Sequence, residues 1–228
     1  NVADNHNFMA NSCIVSNCSI TGNQSEHGGG GLTIASAGAL VTHCVISDNM
    51  DTYYTGGGGI YMSAGTVRNC LITRNKVTLA GSDRGGGGVR MSGGTLLSST
   101  VASNRVTNAD NPGGGVWWTG GSITNTIIYG NVRIAASNNL FASSLATIGY
   151  SCAPELTNGI GNISQDPLFV DMPGGNYRLP IRSPCIDKGT NMSWMAGAAD
   201  LDGAKRVISA HPDIGAYELW PGTILTIR

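Results

Sequence analysis

Gly56-Gly-Gly-Gly59-Ile60-Tyr61-Met-Ser-Ala-Gly65-Thr66-Val67-Arg68-Asn69-Cys70-Leu71-Ile72-Thr73-Arg74-Asn75 contains two motifs, a glycine run closed by one aliphatic residue and a segment of the form C-x-I-x-x-N. Both recur on either side of it. The second motif appears earlier as Cys18-Ser-Ile20-Thr-Gly-Asn23 and Cys44-Val-Ile46-Ser-Asp-Asn49, and later, degraded, as Ser99-Thr-Val101-Ala-Ser-Asn104 and Thr126-Ile-Ile128-Tyr-Gly-Asn131. Its asparagines are 26, 26, 29 and 27 residues apart. The glycine run returns at Gly28 to Gly31, Gly85 to Gly88 and Gly113 to Gly115, closed by Leu32, Val89 and Val116. An aliphatic residue stands three positions before each Cys-type site, at Val15, Val41, Val67, Leu96 and Ile123.

Within one copy the apolar residues alternate over short distances and no i, i+3, i+4, i+7 stripe is present, so the unit consists of short strands and corners. A period of 26 to 29 residues is too short for a propeller blade and fits one coil of a parallel β-helix. Stacked at the ordinary strand spacing of about 4.8 Å, equivalent residues form ladders. Val67, Cys70 and Ile72 are expected to face the bore, Arg68 and Leu71 to face outward, and Asn17, Asn69 and Asn125 to turn corners, because Asn tolerates left-handed backbone. The glycine runs lack the Lys-Ser/Thr and helix of a phosphate loop, so close backbone approach is the better explanation for them.

Composition narrows the function. Of 228 residues 34 are Gly and 12% are charged, against about 7% and 25% in ordinary soluble domains. A hydrophobic fraction of 41% with net charge −1 argues against disorder. Thirteen scattered cations offer no phosphate-binding stripe, so no nucleic-acid partner is expected. No apolar run approaches the roughly 20 residues of a membrane helix. Cys18, Cys44 and Cys70 share one repeat position and read as core thiols, whereas Cys152 and Cys185 lie beyond the repeats. A disulfide between those two would contribute about 3 to 4 kcal/mol in the chain-entropy model.

The repeats give a domain division of 1–140 for the coils and 141–228 for an irregular C-terminal part of the same domain. That second part reads Asp166-Pro-Leu-Phe-Val-Asp171, Asn176-Tyr-Arg-Leu179, Ser183-Pro-Cys-Ile-Asp187-Lys-Gly189, Asp200-Leu-Asp202-Gly203 and Asp213-Ile-Gly-Ala-Tyr-Glu218. This order resembles the C-terminal end of bacterial right-handed β-helix proteins of the choice-of-anchor Q group. The glycine-run and C-x-I-x-x-N pair is similar to the repeats of chlamydial polymorphic membrane proteins, with Cys where those have Phe. The resemblance implies a right-handed, single-stranded parallel β-helix with a non-repetitive C-terminal cap, secreted or displayed at a bacterial cell surface. It implies no reaction.

Thr33, Tyr61, Arg90 and Trp117 follow the aliphatic residue that closes each glycine run and are expected to stack on one exposed strand face, beside Trp118 and a loop holding Tyr53 and Tyr54. Rings and a cation at fixed spacing suit a polysaccharide or surface glycan. The role expected is therefore a structural and adhesive module, with a polysaccharide lyase or glycosidase as the enzymatic alternative. The acids near the face, Glu26, Asp48, Asp51, Asp83 and Asp110, lie on separate turns. The four histidines share no metal-ligand spacing, and no cofactor is expected. Calcium at Asp200, Asp202 and Asp213 is the weaker reading beside an ion pair to Arg206. A third role, a subunit stacking end to end, rests on the strand-like Thr223-Ile-Leu-Thr-Ile-Arg228 and on a first coil without a preceding strand to cover it.

Overall fold

A computed structural model describes residues 8–10, 12–53, 56–78, 85–108 and 112–220. Strands of only two or three residues follow one another around a coil. In the second coil they are Leu32–Ile34, Leu40–Thr42, Val45–Ser47 and Met50–Asp51, one on each of four faces. Each pairs in parallel with its equivalent one coil on: Thr33 with Tyr61, Val41 with Val67, Ile46 with Ile72 and Met50 with Lys76. Repetition builds sheets of six, six, five and six strands on the four faces, giving a parallel β-helix of about five coils.

The corners explain why such short strands suffice. One left-handed residue separates the second face from the third, at Asn17, His43, Asn69, Ser98 and Asn125, all with φ between 42° and 53°. Another separates the third from the fourth, at Gly22, Asp48, Arg74, Ser103 and Gly130. A single αL residue redirects the chain without a loop. The asparagine corners are where the sequence places them, and His43 and Ser98 show that the site accepts other residues.

Val67, Cys70 and Ile72 are completely buried in the bore together with their equivalents in the second, fourth and fifth coils. In the first coil Val15 and Ile20 are only partly buried, and Cys18, expected as a core thiol, is exposed because no coil packs over it among the described residues. Each fully buried aliphatic side chain contributes about 1.5 to 3 kcal/mol. Beside this apolar column runs a polar one. Asn23, Asn49, Asn75 and Asn104 each donate from backbone N–H and from Nδ2 to Oδ1 of the next asparagine, at 2.9 to 3.0 Å. Asn131 continues the column to Asn139, eight residues later, where an antiparallel hairpin of Val132–Arg133 and Ala136–Ser137 breaks the period. The Asn139 N–H then donates to Glu155 Oε1 at 2.8 Å, so a carboxylate ends the column.

The last glycine of each run lies on this column. A Cβ on Gly59 would stand 2.9 Å from Asn75 Nδ2, and one on Gly88 would stand 2.8 Å from Asn104 Nδ2. Two sequence motifs that look independent are thus the two sides of one contact.

The C-terminal part does two jobs. Cys152 bridges both Ile127 and Ile163, which extends the coils past residue 140. From about residue 166 the chain turns back along the outside of the third face and the adjacent corner. Tyr177 accepts a hydrogen bond from Thr73 at 2.6 Å, Ala216 N–H donates to Thr100 Oγ1 at 3.1 Å, and Asn125 exchanges two bonds with Thr190. His43 Nε2 and Asn69 Nδ2 both reach the Ala199 carbonyl, at 3.0 and 2.9 Å. Leu71 points away from the bore as expected, yet it is buried, because Tyr177, Ala216 and Tyr217 cover it.

The disulfide expectation is corrected. All six cysteines are free thiols, with Cys152 and Cys185 buried in one cluster. Cys152 Sγ donates to the Gln165 carbonyl at 3.3 Å, and the neighbouring Cys185 thiol, together with burial, raises its pKa. The pair packs as hydrogen-bonded thiols in an apolar setting.

Candidate functional site

The first face brings Thr33, Tyr61, Arg90, Trp117 and Phe141 into one row, each directly opposite the next. Their side chains share the outer surface because their strand neighbours, such as Ile60 and Met62, are committed to the bore. Arg90 is the centre. Its guanidinium carbon lies 4.3 Å from the Trp117 ring centroid and 5.6 Å from that of Tyr61, within cation–π range of both.

The row is less open than a uniformly exposed face. Thr33 is buried beneath its own glycine run, whose Gly29 N–H donates to Thr33 Oγ1 at 3.0 Å. Trp117 retains only 6% exposure, while Tyr61 and Arg90 are half-buried and Phe141 is 47% exposed. Trp118 does not join the row. It alternates to the other side of the strand and packs in the bore. Tyr53 is exposed in the loop leading into this face, edge-on to His27 at 6.3 Å. Tyr54, Asp83 and Asp110 lie outside the described residues.

The acids do not converge on the row. Asp48 sits at the far corner in a bidentate pair with Arg74 at 2.8 and 2.9 Å, which lowers the Asp48 pKa below its usual value. Asp51 is buried and accepts the Tyr53 N–H at 2.9 Å, and Glu26 is exposed in the loop after Ser25.

Asp200, Asp202 and Asp213 are spent on the tail. Asp200 accepts N–H groups from Asp202, Ala204 and Glu218, Asp213 accepts those of Asp187 and Leu219, and Asp202 pairs with Arg178 at 2.6 Å. No group of three potential metal ligands occurs among the described residues. Arg206 does meet a carboxyl group, but that of Glu218, at 3.0 Å, where both side chains are buried. Burial raises Asp200 and Asp213 above the usual carboxylate values and lifts Glu218 to about 9, outweighing the attraction of Arg206.

Two concavities escaped the sequence because both are built by the irregular tail. One of about 630 Å³ lies among Val170, Arg178, Leu179, Asp202 and Trp220, and one of about 340 Å³ among Tyr129, Asp166, Phe169 and Arg182. Neither includes a residue of the Tyr61 to Trp117 row.

Residues 3–133 match the family model described as right handed beta helix region, which is more than half of the chain. The chain belongs to the right-handed β-helix family. The match ends at residue 133, before the last coil strands at Leu140–Ala142 and Ile148–Gly149, so the tail stands outside it. No curated protein and no solved structure matches the chain significantly.

Proposed function

We propose that this β-helix protein is a secreted or cell-surface module with a structural and adhesive role that holds a glycan on the outer row of its first face. The observation carrying this reading is Arg90 set between the rings of Tyr61 and Trp117. A guanidinium steadied by a buried Trp is preorganised to hydrogen-bond sugar hydroxyls or a uronate carboxylate, and the half-open Tyr61 ring offers a stacking surface. Phe141 and Tyr53 extend the exposed aromatic area on either side. The resemblance of the tail motifs to choice-of-anchor Q proteins supports the placement outside the cell.

A glycan array followed by reducing-sugar and unsaturated-product assays on the hits tests this reading. Binding without turnover is the expected result. Turnover on a bound glycan would replace the adhesive role with an enzymatic one, and absence of any hit would remove the glycan.

A further inference from the structure

The residue just before each strand of the third face forms a column of its own, running Cys18, Cys44, Cys70, Ser99, Thr126 and Ser151. Each donates its thiol or hydroxyl proton to the carbonyl two residues back, at 2.7 to 3.3 Å. Backbone N–H groups from the preceding coil aim at the same atoms. The Cys70 N–H donates to Ser99 Oγ and the Thr126 N–H to Ser151 Oγ, both at 3.2 Å. In the same pattern Cys44 Sγ accepts from the Cys18 N–H and Cys70 Sγ from the Cys44 N–H.

Cys44 and Cys70 stand apart within this column. Both are completely buried, and their thiols are in hydrogen-bond contact across one strand spacing. Loss of both thiol protons would leave no carbonyl bare, because the Thr42 carbonyl also accepts the Asn17 N–H at 3.2 Å and the Arg68 carbonyl the His43 N–H at 3.4 Å. The N–H groups of Cys18 and Cys44 would remain to stabilise charge on the two sulfurs.

We propose that Cys44 and Cys70 hold one soft monovalent cation, of the Cu(I) type, in a linear bis-thiolate site inside the bore. Thiolate ligands select soft ions. Two metal–sulfur bonds of about 2.3 Å, the zinc–thiolate length, span about 4.6 Å end to end, against a strand spacing of about 4.8 Å. Zinc itself fits poorly, since its structural sites take four ligands and no group of three ligand side chains gathers among the described residues. Binding forms two Cu–S bonds and releases two thiol protons to solvent, with no electron transferred. The site uses no residue of the Arg90 row.

Anaerobic competition for Cu(I) against bicinchoninate tests the proposal, with the full chain carrying Cys152→Ala/Cys185→Ala so that the buried tail thiols cannot compete. At equilibrium, reached through local opening of the coils, the protein should withdraw one Cu(I) per chain, and X-ray absorption should show two sulfur neighbours. Cys44→Ser and Cys70→Ser should each weaken binding by about a hundredfold or more, beyond the usual cost of losing a supporting residue, whereas Cys18→Ser should leave it unchanged. Serine suits this column, as Ser99 and Ser151 show, and melting temperatures separate loss of a ligand from loss of the fold. No withdrawal of copper by the parent chain, equal withdrawal by Cys44→Ser, loss of binding in Cys18→Ser, or a nitrogen or oxygen neighbour in the absorption spectrum would each overturn it.

Discussion

Asn75 illustrates how much one residue carries in this fold. Its Oδ1 accepts from both Asn49 nitrogens at 2.9 to 3.0 Å, and its Nδ2 donates to the Ile46 carbonyl at 2.8 Å. Asn75→Ala leaves two donors and one acceptor unpaired in the interior, and should cost about 2 to 4 kcal/mol in denaturant unfolding. Gly59→Ala presses on the same contact from the facing side and should cost about 1 to 3 kcal/mol. If both variants were as stable as the parent, the asparagine column would not be a structural element. The recurrence of Asn and Gly was legible in the sequence, but their contact was not, because it joins a glycine run to an asparagine in the same coil through stacking that only closure of the coil creates. The cysteines show a complementary limit. Cys152 and Cys185, the two cysteines beyond the repeats, are brought together as expected, yet as thiols, so titration of the unfolded, unreduced protein should find six free thiols. A count of four would restore the cross-link.

At the scale of elements, the strands and corners were readable because each coil repeats the same local rules, whereas the tail has no period and packs by side-chain contacts that no pattern announces. Leu71 and Trp117 were both expected to be exposed. Leu71 lies under the tail, and Trp117 is covered within its own face. Trp117→Ala should therefore lower stability by about 3 to 5 kcal/mol, as for other large aromatic truncations in cores, and an unchanged melting temperature would show the ring to be free surface. The tail also has a pH signature. Glu218, Asp200 and Asp213 hold their protons more tightly in the fold than in the unfolded chain. Their contribution is thus fully present at acid pH and is lost as pH rises, for Glu218 through about 9. Resistance of residues 166–220 to limited proteolysis should fall between pH 6 and 9 under conditions where the coils stay intact. Glu218→Gln should flatten that decline, and a wild-type decline unchanged in this variant would remove Glu218 as its source.

For the whole molecule, the coils act as a rigid ruler that sets side chains at strand spacing on four faces. One face is covered by the tail, and the first displays the Arg90 row. The sequence located the Tyr61, Arg90 and Trp117 register correctly because register follows from the repeat alone. It misjudged exposure, which depends on how the glycine runs and neighbouring rings fold over each position. The segment Thr223-Ile-Leu-Thr-Ile-Arg228, offered above as an assembly strand, lies outside the described residues. The most direct test of the functional account is isothermal titration of the strongest array glycan against the parent protein and Tyr61→Ala, with melting temperatures measured in parallel. Loss of one stacking partner worth about 1 kcal/mol or more should weaken binding at least fivefold with the melting temperature nearly unchanged. Equal affinity in the two proteins would contradict the account.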